Sequence, residues 1–272
     1  MDDFAALRLQ LEWGADEALD DLPVDRTVAR AMAATTVATA PPSAEIPRSS
    51  GQSTPFRPAS VAPVSAVASP PQSRAQDIAT AAQTLDELRA ALEIFDGCAL
   101  AATATQLVFS DGNPDSGLMF VGEAPGGEED RIGKPFVGPS GMFLDRMLAS
   151  VGLDRTQFLI TNLIPWRPPG NRNPTDSEVA ICLPFLLRHI ALVRPKRLVL
   201  MGGMAAQSVL GVKTGITRLR GRWTNVTIPG LDAPIPTLPM LHPAYLLRNA
   251  GAKRDAWRDM LALRRRLDSD VQ

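Results

Sequence analysis

Three sets of polar residues in this chain have types and spacings that can do chemistry. The first is the turn Gly122-Glu123-Ala124-Pro125-Gly126-Gly127 with Glu128, Glu129 and Asp130 behind it, four carboxylates on one glycine-rich loop. Like charges repel there and exposed backbone must be held, so such a loop is costly to fold unless something uses it. Its glycines do not spell G-x-G-x-x-G, and Pro125 would spoil a dinucleotide turn, which argues against a Rossmann cofactor site. Read singly, each acid is an ordinary solvated turn residue; as a set followed by Phe136 between Pro135 and Val137, they have the make-up of a pocket.

The second set begins at Asn162, which closes the run Phe158-Leu-Ile-Thr. An amide at the tip of a strand offers a donor and an acceptor together, which suits the edge of a pyrimidine; taken alone, it is more often an ordinary turn former. Downstream, Arg167-Pro168-Pro169-Gly170-Asn171-Arg172 carries two guanidinium groups on a proline-stiffened loop, a phosphate clamp with little ordering cost or else an exposed structural loop. The third set is His242-Pro243-Ala244-Tyr245-Leu246-Leu247-Arg248. Two leucines on a loop must be either buried or inserted into something, which sets His242 apart from His189, a residue of an amphipathic helical pattern and read as structural. A fourth stretch, Thr217 to Trp223, places Arg218, Arg220 and Arg222 at alternate positions, so an extended segment would turn all three to one face and contact a nucleic-acid backbone.

These residues need elements to position them. Leu118 to Val121 is a short apolar run of the length and make-up of a buried parallel strand, and a strand ending in a glycine-rich turn is where open α/β sheets put ligands. Gln106 to Phe109, Phe158 to Ile164 and Arg197 to Met201 read as further strands. Helical patterns fall near 140–151, 176–193, 204–210 and 252–267, with another opened by Thr84 as cap and Glu87 three residues on. Gly202-Gly203 after the strand ending at Met201 fits tight strand-to-helix packing, with a phosphate at the helix start as the other reading. Strands alternating with helices predict a three-layer α/β/α sandwich around a mostly parallel, four-stranded sheet.

Residues 1–20 carry Phe4, Leu7, Leu9, Leu11, Trp13 and Leu19 among acids, the pattern of a short amphipathic helix. It either docks a protein partner or folds back on the core. Residues 21–83 are rich in Ala, Pro, Ser, Thr and Val with almost no large side chains, a composition that cannot bury enough apolar area to order itself, and read as a disordered linker. The globular domain is placed at 84–272. Residues 1–90 hold 7 Arg and 12 acidic residues, leaving 21 basic and 17 acidic for the rest, so the folded part is mildly cationic and permits a nucleic-acid partner. The chain has no run of 18 apolar residues and its acidic start lacks the pattern of a signal peptide, so no membrane contact and a cytoplasmic location are expected. Cys98 and Cys182 are the only cysteines. They make no disulfide framework and cannot alone fill a four-thiolate metal site.

Taken in order, GEAPGGEEDRIGKPFVG, TNLIPWRPPGNR and HPAYLLR resemble the motifs of family 4 uracil-DNA glycosylases, and the resemblance covers about residues 90–267. It implies that fold and hydrolysis of the bond between uracil and deoxyribose in DNA, leaving an abasic site for base excision repair. By resemblance, Phe136 stacks on the extruded base, Asn162 bonds its Watson–Crick edge, and His242 stabilises charge on the uracil O2. Glu123 orients the attacking water, and Glu129 lines the pocket near C5 to exclude thymine. Arg167, Asn171, Arg172, Arg220 and Arg248 are expected on DNA, with Leu246 or Leu247 as the wedge that helps extrude the base. A monomer without a lyase step is expected. The family holds a [4Fe-4S] cluster on four cysteines, and the aligned positions here are Phe95, Cys98, Trp166 and Cys182. The expectation is therefore no cluster, aromatic packing in its place, and the two cysteines close together. The alternative for the whole chain is a protein on the same fold that binds uracil or damaged DNA with little or no turnover.

Overall fold

The computed structural model describes residues 70–269. The expected helix at 1–20 and residues 21–69 of the expected linker lie outside the described residues. Six strands form one sheet in the order β1-β3-β2-β4-β6-β5: β1 Ser110–Gly112, β2 Leu118–Gly122, β3 Leu159–Asn162, β4 Arg197–Met201, β5 Thr224–Val226 and β6 Ile235–Met240. The inner four, β3, β2, β4 and β6, run parallel, while β1 and β5 close the edges antiparallel.

The sandwich follows from a period of two. On one face Met119, Val121, Leu159, Leu198 and Leu200 are buried together with residues of α1 (Pro71–Ala81), α2 (Leu85–Glu93), α3 (Ala99–Thr103), α6 (Asp176–Val193) and α7 (Gly203–Leu210). The alternate residues Leu118, Phe120, Ile160, Val199, Met201, Leu238 and Met240 pack on the other face against α5 (Pro139–Ala149) and α10 (Lys253–Ser269). Side chains of a strand alternate between faces, so a parallel strand covered on both sides must be apolar throughout, as β2 is.

Two elements depart from expectation. Gln106 to Phe109 is not a strand; the fourth parallel strand is β6, whose prolines mask it in the sequence. The Pro239 carbonyl accepts from Gly221 N at 2.9 Å, so its ring nitrogen also faces away from β4, past the end of β5, and the missing N–H breaks no ladder bond. The second departure is α1, inside the expected linker. Ala75 and Ala79, one turn apart, are buried against α6, and Arg188 of α6 donates to the Ala82 carbonyl at 2.7 Å. Alanines look like linker because they carry little apolar area each, yet they let two helices approach closely. The start of α2 is as expected, with Glu87 N donating to Thr84 Oγ1 at 3.1 Å and Gln83 N to Glu87 Oε2 at 2.7 Å.

Candidate active site

The carboxyl ends of the parallel strands surround one cavity of about 520 Å³, lined by Glu123, Glu129, Phe136, Asn162 and His242 among others. Each of these groups is held by the element that delivers it. Glu123 follows β2 directly, and its Oε1 accepts from Met204 N at 2.9 Å, with Gly203 N as a second backbone donor at the start of α7. Burial pushes its carboxyl above the usual carboxylate range, and those two N–H groups hold the rise back. Gly202, at φ +102°, makes this possible, because a Cβ there would occupy the carboxylate's place.

Asn162 ends β3 in register with Gly122 of β2, and its side chain is buried. Its Oδ1 has no hydrogen-bond partner. A buried amide oxygen left bare costs about 1–3 kcal/mol, so this acceptor marks a site prepared for a donor from outside. Gly122 keeps the slot open, since a Cβ there would run into both Asn162 Oδ1 and the Phe136 ring.

Phe136 is buried at a backbone φ of +55°, a conformation that costs a non-glycine residue about 1 kcal/mol or more. Its ring lies with its centroid 5.6 Å from that of His242, tilted by 30°. His242 caps α9 (Pro243–Arg248), its Nδ1 accepting from Ala244 N at 3.2 Å. That bond places the imidazole proton on Nε2. Burial, with the Arg248 charge added, lowers the His242 pKa to about 4, so the ring is a neutral donor at neutral pH. A neutral imidazole N–H, a bare amide oxygen, an aromatic face and a half-buried carboxylate around one slot suit a planar heterocycle with both donor and acceptor edges.

Glu129 lines the same cavity, but both its oxygens are taken by backbone. Oε1 accepts from Val137 N at 3.1 Å and Gly138 N at 2.8 Å, and Oε2 from Gly126 N at 3.1 Å, which ties the acidic loop to the Phe136 segment. Asp130, on the same short helix (α4, Gly127–Ile132), is likewise structural, accepting from Thr105 N at 2.8 Å and Thr105 Oγ1 at 2.9 Å.

The residues expected on DNA divide. Asn171, Arg172 and Arg248 line the cavity. Arg172 also forms a bidentate pair with Glu178 at 2.9 and 2.6 Å, and Arg167 Nε donates to Asn171 Oδ1 at 2.8 Å, so the proline-stiffened loop is braced from within. Arg220 is different. Residues Ile216–Leu219 are a short helix (α8), which destroys the expected alternation, and the Arg220 guanidinium grips Asp259 at 2.9 and 2.6 Å and the Asp255 carbonyl, away from the cavity lining. Of the two leucines, Leu246 is fully buried with Leu241 and Ala256, so it anchors α9; only Leu247, 45% exposed, is free to act as a wedge. Nothing in the residue pattern marks Tyr245, Ser140 and Thr217 as lining residues, nor Arg155, which touches the Phe136 segment only through backbone carbonyls.

At the four positions aligned with cluster cysteines, the Phe95 and Trp166 rings stack at 6.4 Å and Phe185 packs edge-on to Phe95 at 5.0 Å. Cys98 and Cys182 are buried and adjacent; the Cys182 thiol donates to the Cys98 sulfur, lowering Cys98 to about 7, while Cys182 is pushed up by that neighbour and by burial. Two thiols and two apolar rings do not make a four-thiolate donor set.

An α/β/α sandwich with a base-sized slot at the carboxyl ends of its parallel strands defines the class. A family model described as the uracil DNA glycosylase superfamily matches residues 109–261, and the chain belongs to that superfamily. More particularly, it is 41% identical over 153 residues to the Type-4 uracil-DNA glycosylase of Thermotoga maritima, covering 56% of this chain and 77% of that protein. The Type-4 uracil-DNA glycosylase of Archaeoglobus fulgidus is 38% identical over 169 residues, 61% of this chain and 84% of that one. That of Pyrobaculum aerophilum is 31% identical over 180 residues, 65% and 91%.

Proposed function

We propose that this chain is a uracil-DNA glycosylase that hydrolyses the N-glycosidic bond of deoxyuridine in DNA and leaves an abasic site for repair. The observation that carries the reading is the gathering of Asn162, whose buried Oδ1 has no hydrogen-bond partner, with Phe136, Glu123 and His242 around one slot. Uracil presents an N3–H donor to that oxygen and its O4 to the amide nitrogen, while its ring lies on Phe136. As the N1–C1′ bond breaks, electrons move onto the ring and charge builds on O2, where His242 Nε2–H donates to it. A preorganised donor of this kind is worth about 3 kcal/mol, on the order of a hundredfold in rate. Glu123, ionised, orients water toward C1′ and faces the cationic sugar. The water's hydroxyl ends on C1′ and its proton is balanced by one taken up at N1 of the leaving base. Leu247 takes the place vacated in the stack, and Arg172 and Arg248 at the slot's mouth meet phosphates.

The same reading assigns no iron–sulfur cluster. It is supported by the Phe95, Trp166 and Phe185 packing and by the two-thiol donor set; four iron atoms per purified chain would refute it. The test of function is incubation with a labelled oligonucleotide bearing one uracil, followed by alkali. Strand cleavage by the wild type, lost in His242→Ala and Glu123→Ala, is the expected result. Uracil-dependent binding with no alkali-labile site would make the chain a reader of uracil and overturn the enzymatic assignment.

A further inference from the structure

We propose that Arg155 is a positioning residue for the base platform: from outside the slot it holds the Phe136 backbone in the left-handed conformation that puts the ring under the extruded base. This rests on the uracil-excising reading and deepens it.

Arg155 lies on the turn between α5 and β3. Its Nη2 donates to the Phe136 carbonyl at 2.6 Å and its Nη1 to the Pro135 carbonyl at 3.4 Å. From the other side Glu129 accepts from Val137 N and Gly138 N. Two side chains therefore grip four consecutive residues, one by the carbonyls and one by the amides, with Phe136 at φ +55° between them. Neither neighbour could supply this from regular structure, because the segment belongs to no strand or helix. The first turn of α5 closes the arrangement: a Cβ on Gly141 would strike the Phe136 backbone.

The guanidinium is itself oriented. Asp145 of α5 accepts from Nε at 2.8 Å and Nη2 at 3.3 Å, Asp111 of β1 accepts from Nη1 at 3.4 Å, and the Phe158 ring lies 5.8 Å beneath. A residue kept only for its ion pairs would make its shortest contact to a carboxylate. Here the shortest is to the Phe136 carbonyl. Five donors in a fixed plane can serve two carbonyls and two carboxylates at once, which a lysine ammonium cannot.

The experiment uses the full chain and a single-uracil oligonucleotide, read as single-turnover rate and half-saturating enzyme concentration, with thermal melting alongside. Wild type, Arg155→Ala, Arg155→Lys, Phe136→Ala and the Arg155→Ala/Phe136→Ala double variant are compared. Arg155→Ala is expected to slow uracil release by about tenfold to a hundredfold, as displacement of a reacting group does, with affinity for uracil-free DNA unchanged. The double variant should be no slower than Phe136→Ala by more than about twofold, because the two residues act through one group. Arg155→Lys keeps the charge opposite Asp145 and Asp111, so it should recover melting temperature without recovering rate; this variant also decides the matter if Arg155→Ala does not fold. Multiplying effects in the double variant, or rate and melting temperature recovering together in Arg155→Lys, would overturn the positioning role while leaving an active wild type in place. A wild type that releases no uracil would instead remove the functional reading beneath it.

Discussion

Asn162, the last residue of β3, and Trp166, four residues on, are both nearly inaccessible to water, yet they are buried on opposite terms. Around Trp166 every surface is matched: rings stack, two thiols bond each other, and nothing polar is left bare among Phe95, Phe185, Cys98 and Cys182. Around Asn162 the amide oxygen has no partner, the carboxyl of Glu123 is lifted by desolvation, and Phe136 sits at a positive φ. The first region is closed by matched apolar contacts, as a structural prop is, with aromatic rings at two of the four positions aligned with cluster cysteines. The second carries strain and unpaired groups that folding alone would not select, which is the signature of a site that waits for a ligand.

Truncating the prop tests this contrast most severely. Trp166→Ala should cost about 3–5 kcal/mol of stability through the cavity it leaves, measured by urea unfolding, while the fraction still folded keeps more of its rate than any slot variant. Next comes His189, stacked on Phe109 at 4.5 Å with Nε2 unpartnered and its pKa pushed down to about 4 by burial. The unfolded chain takes up a proton near pH 6.5 that the folded chain refuses until about 4, so stability is present above pH 6.5 and falls as the pH drops through that window. Between pH 7 and pH 5 this one residue should account for about 2 kcal/mol, a loss absent from His189→Phe. Catalysis should have its own acid limb. Glu123 must be ionised and its pKa is raised, whereas His242 stays neutral down to about 4, so kcat/KM should fall first through protonation of Glu123. An acid limb centred near 4 would assign it to the imidazole instead. The smallest effect has the most telling sign: Asn162→Ala should abolish selectivity for uracil yet leave the unfolding free energy unchanged or raised by up to about 1 kcal/mol, because it removes an unsatisfied buried group.

Much of the slot was legible in the sequence because its groups are polar residues at strand ends, where little else explains them. Glu123, Asn162 and His242 are separated widely along the chain, and the topology of β2, β3 and β6 brings their tips together. The strands β2 and β4 were visible as unbroken apolar runs. What escaped has a physical reason in each case. β6 hides behind Pro236 and Pro239, the latter with its missing donor where no ladder bond is needed, and α1 hides behind alanines that pack without bulk. Leu246 and Leu247 are indistinguishable in one dimension, and only the turn of α9 sends one inward and the other out. The alternating arginines assumed an extended chain, which Gly215 and the α8 turn do not provide. Arg155 works on backbone oxygens, which leave no trace in the side-chain pattern.

The helix α9 is barely more than one turn and a half, with His242 bonded into its first turn and Leu247 near its last. Imidazole and leucine therefore ride on a single short rod that Leu246 pins to the core. A load on Leu247 is therefore carried along that rod to the His242 ring, and under the proposed function this would join entry into a duplex to the geometry at the breaking bond.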